Sequence, residues 1–221
     1  MHRILTAFLL CFCILLIHAP AGAIRDFTTY YEGDRNSMKI AITVDDLYEP
    51  VNLKNILDLC LAYDIHVTFF TLGIAIKQEN ADLWQRIVDE GHEIGNHTYG
   101  HLNIEKLTRE QLGYQLSITQ EALNAVLREP YPMKLFRPPF GRYDRHAYGS
   151  VDRLGEQGYP YLIMWSVGLE DMQCKFTCIR GGSIILLHTN WQDVNCLQEL
   201  IPWLLDAGFA PVTVSDLLNL P

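Results

Sequence analysis

Two adjacent carboxylates, Asp45-Asp46, two histidines four residues apart, His97 and His101, and a later histidine, His188, are residue types that bind divalent cations and move protons. Two imidazoles and one carboxylate make a three-ligand set that leaves a position open for water, and either Asp45 or Asp46 can complete it. The spacing of His97 and His101 predicts that they share one helical turn and face the same way. A cation so held can activate a bound water, and a separate histidine can carry a proton.

Each of these residues follows a strand-like run. The strand candidates are Lys39–Val44, His66–Thr71, Glu93–Asn96, Lys134–Arg137, Tyr161–Trp165, Ser183–Leu187 and Pro211–Val214, several of them continuous apolar runs suited to strands covered on both faces. Helical patterns alternate with them at Leu53–Tyr63, Ala81–Glu90, Arg109–Leu127, Arg145–Gln157 and Val194–Ala207, and Thr108 with Gln111 makes a capping box before the third. Seven strand–helix units approach the eight of a β/α barrel, so the expected class is α/β: a distorted or incomplete (β/α)7-8 barrel in a single domain, with an open doubly wound sheet as the alternative. In such barrels the working residues sit where strands end. Strand one ends in Asp45-Asp46, strand three in His97, strand four in Arg137 and strand six in His188, while strand five leads to Asp171.

Five stretches in order, "TVDD", "HTYGH", "RPPFG", "WSVGLED" and "LLH", resemble the motifs of the polysaccharide deacetylases of carbohydrate esterase family four, which share the homology domain of the nodulation chitooligosaccharide deacetylases. The resemblance runs from about Met38 to Leu220. It implies that Asp45 is the general base, that Asp46, His97 and His101 bind a divalent metal, usually Zn2+, and that His188 is the general acid, oriented by Asp171. Arg137 would hold Asp45, the backbone N–H of Phe140 would help stabilise the oxyanion, and Leu186 and Trp165 would wall the pocket for the acetyl methyl. Three departures bear on the substrate groove: Val44 in place of the more usual phenylalanine, Gly168 where aspartate is common, and Met172 where a tryptophan often follows Asp171. Tyr48, Tyr99, Tyr143 and Trp191 follow motif residues and offer faces on which sugar rings stack. His66, His92 and His146 match no motif and are given no part in the chemistry.

Arg3 followed by the mostly apolar run Ile4–Ile17 and then Ala21-Gly22-Ala23 reads as a secretory signal peptide. As a helix that run spans about 21 Å, short of the roughly 30 Å hydrocarbon core. The expected organisation is a signal peptide over 1–23, an N-terminal extension over 24–37 that wraps the domain, and a catalytic domain over 38–221. The product would be secreted or periplasmic, with no membrane span after cleavage. A formal charge of −9 argues against a nucleic-acid partner. Four cysteines, Cys60, Cys174, Cys178 and Cys196, remain after cleavage and allow three pairings. The expected activity is removal of N-acetyl groups from an N-acetylglucosamine-containing glycan such as peptidoglycan, a chitin-like oligomer or an exopolysaccharide. The alternatives are an O-acetyl esterase or small-amide hydrolase on the same site, and a carbohydrate-binding protein without catalysis. Nothing in the sequence indicates a protein partner.

Overall fold

The computed structural model describes residues 26–143, 150–152, 154–168, 170–171 and 176–221. The expected signal peptide, His146, Met172, Cys174 and residues 145–149 and 153 of the helix expected over Arg145–Gln157 lie outside the described residues; of the rest of that stretch, Gly155–Gln157 is a short 3-10 turn.

Among the described residues, eight strands build one sheet: β1 (Thr28–Tyr30), β2 (Lys39–Asp46), β3 (Thr68–Thr71), β4 (Glu93–Asn96), β5 (Leu135–Phe136), β6 (Tyr161–Ile163), β7 (Ile184–His188) and β8 (Ala210–Val212). All their pairings are parallel, in the order β1-β6-β5-β4-β3-β2-β7, with β8 beside the start of β2. The two ends of this path meet through isolated bridges, Glu32 with Ser183 and Val167 with Ile185. The sheet is therefore a curled, incompletely closed β/α barrel, and the open doubly wound alternative is set aside. Its helices are α1 (Pro50–Tyr63), α2 (Ala81–Asp89), α3 (Arg109–Val126), α4 (Trp191–Asp206) and α5 (Val214–Leu218).

The runs that read as doubly covered strands are buried on both faces: six of the eight residues of β2 and all four of β3. An outer layer joins sheet to helices through side chains such as Ile40, Ile42, Phe69, Leu116 and Leu197. Ala41, Phe70, Leu135, Ile163 and Ile184 fill the barrel, and Val214 and Leu217 of α5 close its floor. Phe70 lies across Gly95, where an added Cβ would stand 2.5 Å from its ring. The capping box forms as read: Gln111 N–H donates to Thr108 Oγ1, and Thr108 N–H donates to the Gln111 side chain.

Two expectations are corrected. The 24–37 stretch does not simply wrap the domain, because Thr28–Tyr30 enters the sheet beside β6; three partly exposed residues carry no apolar run to announce a strand. The last strand stops at Val212, because Thr213 caps a helix that begins at Val214. Cys60 and Cys196 are free thiols, and burial pushes Cys60 up to about 12. Among the described residues, no helix is long and apolar enough to cross a membrane.

His92 is a packing residue. Its Nδ1 accepts the Val67 N–H at 3.2 Å, its ring meets Phe69 edge-on, and burial pulls its pKa down to about 4. The unfolded chain takes up a proton below about pH 6.5, whereas the folded chain resists until about pH 4. This neutral histidine therefore contributes stability that is lost as pH falls across that window, on the order of 3 kcal/mol. His92→Asn, whose amide oxygen can still accept from Val67, is expected to flatten this part of the stability–pH curve in urea melts. An unchanged slope would remove His92 as its source.

Candidate active site

Register brings the polar residues to one level. Asp45 pairs with His188 across β2 and β7, and Asp46 aligns through Thr71 and Asn96 with Phe136. His97 and Arg137 stand one residue past that row, tied by His97 N–H to the Thr71 carbonyl at 2.9 Å and Arg137 N–H to the Asn96 carbonyl at 3.0 Å. All lie at the C-terminal ends of parallel strands, the working end of a β/α barrel. Asp45, Asp46, His97, His101, Phe140, Trp165, Leu186 and His188 line one open pocket of about 240 Å³. A larger groove of about 970 Å³, beside α3 and the 130–134 loop, holds none of these residues.

The two histidines do converge, but not on a helix. His97 to His101 is a loop after β4, bent by Thr98 at φ 71° and closed by His101 N–H donating to Thr98 Oγ1 at 3.2 Å. Thr98 N–H donates to Asn96 Oδ1 at 2.9 Å, and the Thr98 and Tyr99 carbonyls accept from Gly73 and Ile74. Asp46, His101 and Phe140 also have left-handed backbone, with φ of 72°, 55° and 60°. Non-glycine residues reach that region at a cost, and such strain gathers at functional sites.

The ligand set has the marks of a cation site. His97 Nδ1–H donates to the Arg137 carbonyl at 2.7 Å, which leaves Nε2 with its lone pair 3.6 Å from Asp46 Oδ1. His101 Nε2 stands 3.7 Å from the same oxygen, and the ligand atoms all lie within 4.8 Å of one another. Asp46 Oδ1 is buried without a hydrogen-bond partner. An orphaned buried carboxylate oxygen is costly, and a cation shared with two imidazoles satisfies it. Burial lowers the pKa of His97 against the opposing pull of Asp45 and Asp46, favouring the neutral ring that ligation needs.

Arg137 lies beneath the pocket, fully buried. Its Nη1 donates to Asp45 Oδ1 and to Thr43 Oγ1, both at 2.7 Å, while Nε and Nη2 donate to the Ile163 and Met164 carbonyls. The guanidinium lies over the Phe70 ring at 4.1 Å. Thr43 and Asp45 share a face of β2 by the two-residue period of a strand, so one arginine reaches both. Asp45 Oδ2 is left on the side of His97, 3.8 Å from its Nε2.

The expected partner of His188 is corrected. Its ring is met by Asp193 at the start of α4, 3.2 Å from Nδ1, whereas Asp171 Oδ2 accepts the Gly168 N–H at 2.8 Å in its own loop. The hydrogen bond to Asp193 is the main reason that the pKa of His188 is raised, against its burial. One of the expected sugar contacts is corrected too. Tyr143 is buried, with its hydroxyl 3.0 Å from that of Tyr31. Tyr99 packs over Gly73, where an added Cβ would stand 2.3 Å from its ring. Trp191 and Tyr48 are exposed, beside His188 and Asp46 in sequence, and Phe140 packs edge-on to His101.

The profile of the polysaccharide deacetylase family matches residues 32–159. A peptidoglycan-N-acetylglucosamine deacetylase of Bacillus cereus is 32% identical over 204 residues, covering 86% of this chain and 92% of its own. A solved family 4 carbohydrate esterase from Bacillus anthracis is 30% identical with a TM-score of 0.72, covering 87% of this chain and 88% of its own. A solved pseudoenzyme of the same esterase family, also from Bacillus anthracis, is 25% identical with a TM-score of 0.77, covering 87% of this chain and 69% of its own.

Proposed function

The chain belongs to the polysaccharide deacetylase family, and from that membership we propose that it is an exported, metal-dependent hydrolase that removes N-acetyl groups from an N-acetylglucosamine-containing glycan. It is a glycan deacetylase, and peptidoglycan is the substrate favoured by its relatives. The observation that carries the reading is the convergence of Asp46, His97 and His101 on one buried, unsatisfied carboxylate oxygen, beside an arginine-held Asp45 and in one pocket with His188. A family fold alone does not make an enzyme, since a structural neighbour is a pseudoenzyme; these side chains are what chemistry requires. Export is supported by the apolar run Ile4–Ile17 behind Arg3.

Asp46, His97 and His101 would hold the metal, with Zn2+ the ion that suits a two-histidine, one-carboxylate set. Bound there, it would lower the pKa of water and draw charge from the acetamido oxygen. Asp45, locked through Oδ1 by Arg137, takes the proton from water at Oδ2. His188 gives a proton to the departing amine. Phe140 offers its backbone N–H to the developing oxyanion. Leu186 and Trp165 confine the methyl group.

The test is acetate release by Zn2+-loaded protein from chitooligosaccharides, peptidoglycan and acetylated xylan. Release from the N-acetylated glycans is expected, with loss on chelation, and His97→Ala should lower bound metal in elemental analysis. Release from acetylated xylan alone would move the activity to ester bonds; full activity in metal-free protein would sink the metal reading.

A further inference from the structure

A carboxylate outside the five motifs makes the closest approach to His188. Asp193 is the third residue of α4, and its side chain is 2% exposed. Its Oδ2 accepts the backbone N–H of His188 at 2.6 Å and lies 3.2 Å from the ring Nδ1. Its own N–H donates to Asn190 Oδ1, the cap of the helix, at 2.9 Å. Its second oxygen, Oδ1, is buried with no hydrogen-bond partner.

Capping alone does not explain this arrangement. Asn190 already caps α4, and an asparagine at 193 would accept from the His188 amide without burying a charge. A buried carboxylate with one oxygen unsatisfied is retained at a cost, and the group it faces is an imidazole. Asp171, by contrast, is exposed and turned onto the amide of Gly168, at the place in the motif where aspartate is common. The loop that would carry an orienting aspartate has folded onto its own glycine, and the helix after β7 has supplied another.

We infer that Asp193 is the residue that positions His188, holding Nδ1 as the proton-bearing nitrogen so that Nε2 is the one presented to the pocket, in place of Asp171. The inference rests on the reading of His188 as the proton donor. The charged groups facing His188 are Asp45 and Asp46 from β2 and Asp193 from α4. All three favour the protonated ring, but Asp193 alone is bonded to it. An acid must be protonated to act, so removing this partner moves the alkaline fall of the rate to lower pH.

The experiment pairs an NMR titration of the His188 ring with the pH–rate profile, in the wild-type protein, Asp193→Asn and Asp171→Asn. In Asp193→Asn, both the ring titration and the basic limb should move to lower pH, and kcat should fall on the order of tenfold, part of what a positioned acid contributes. Asp171→Asn should leave the ring titration in place. If Asp193→Asn does not fold, Asp193→Ser, whose hydroxyl can still accept from the His188 amide, should show the same displacement. A ring titration that stays put without the Asp193 charge, or that moves with Asp171→Asn, overturns the inference. The NMR arm does not depend on turnover, so a wild-type protein that releases no acetate defeats the deacetylase reading while the pairing with Asp193 is still decided.

Discussion

Asp45→Asn is expected to release acetate on the order of 10³-fold more slowly than the wild-type protein, within the usual range for loss of a positioned general base. The amide is nearly isosteric. Its oxygen can accept from Arg137 Nη1 where Asp45 Oδ1 does now, at 2.7 Å, so the strand end and the arginine keep their positions. What changes is the atom on the side of His97, where a proton-accepting oxygen becomes a donor NH2. Asp45 is not among the three residues that converge as ligands, so metal content in elemental analysis should remain near one ion per chain. The loss should appear in kcat with KM little moved, because the substitution removes a transition-state interaction. A variant that keeps its metal and more than a tenth of wild-type turnover would take the base assignment away from Asp45.

How much of this site is legible in sequence depends on what each residue answers to. Asp45, Asp46 and His188 end apolar runs, and a run that stops on a charge marks a strand end, where a parallel barrel keeps its chemistry. Their register then follows from pairing, which is why they meet. The convergence of His97 and His101 is anticipated but its geometry is not. Spacing suggests a helical turn, whereas the turn is made by a threonine at φ 71° that no propensity favours. Asp193 escapes notice for a different reason. An acid in the first turn of a helix is ordinary, and placing the helix start at Val194 leaves it outside; only the fold turns it back toward β7. The strand Thr28–Tyr30 is similarly silent, because its place is set by the neighbouring β6 and not by its own composition. Tyr143 shows the converse: position beside a motif does not reveal that a ring is buried.

Arg137→Met is expected to lower folding stability by about 3–5 kcal/mol, the usual cost of leaving one partner of a buried ion pair alone. Against a typical stability of roughly 5–15 kcal/mol, that brings the protein close to unfolding at ordinary temperature. The side chain is fully buried and serves four acceptors at once: Asp45, Thr43 and the carbonyls of Ile163 and Met164. Methionine can occupy the volume beneath Trp165 and beside Phe70, but it donates to none of them. Most of the cost is the Asp45 charge, buried with its counter-charge gone, and this makes the prediction separable. In Arg137→Met combined with Asp45→Asn the unpaired charge is absent, so the double variant should be clearly more stable than the sum of the two single losses allows. Arg137→Lys should fall between wild type and methionine, because one ammonium cannot span the fork of directions that the guanidinium covers. Urea melts of the wild-type protein, Arg137→Met, Asp45→Asn and the double variant measure the coupling directly. Strictly additive losses would mean that Arg137 supports the barrel mouth by packing alone, and that Asp45 is held ready for water by something other than this arginine.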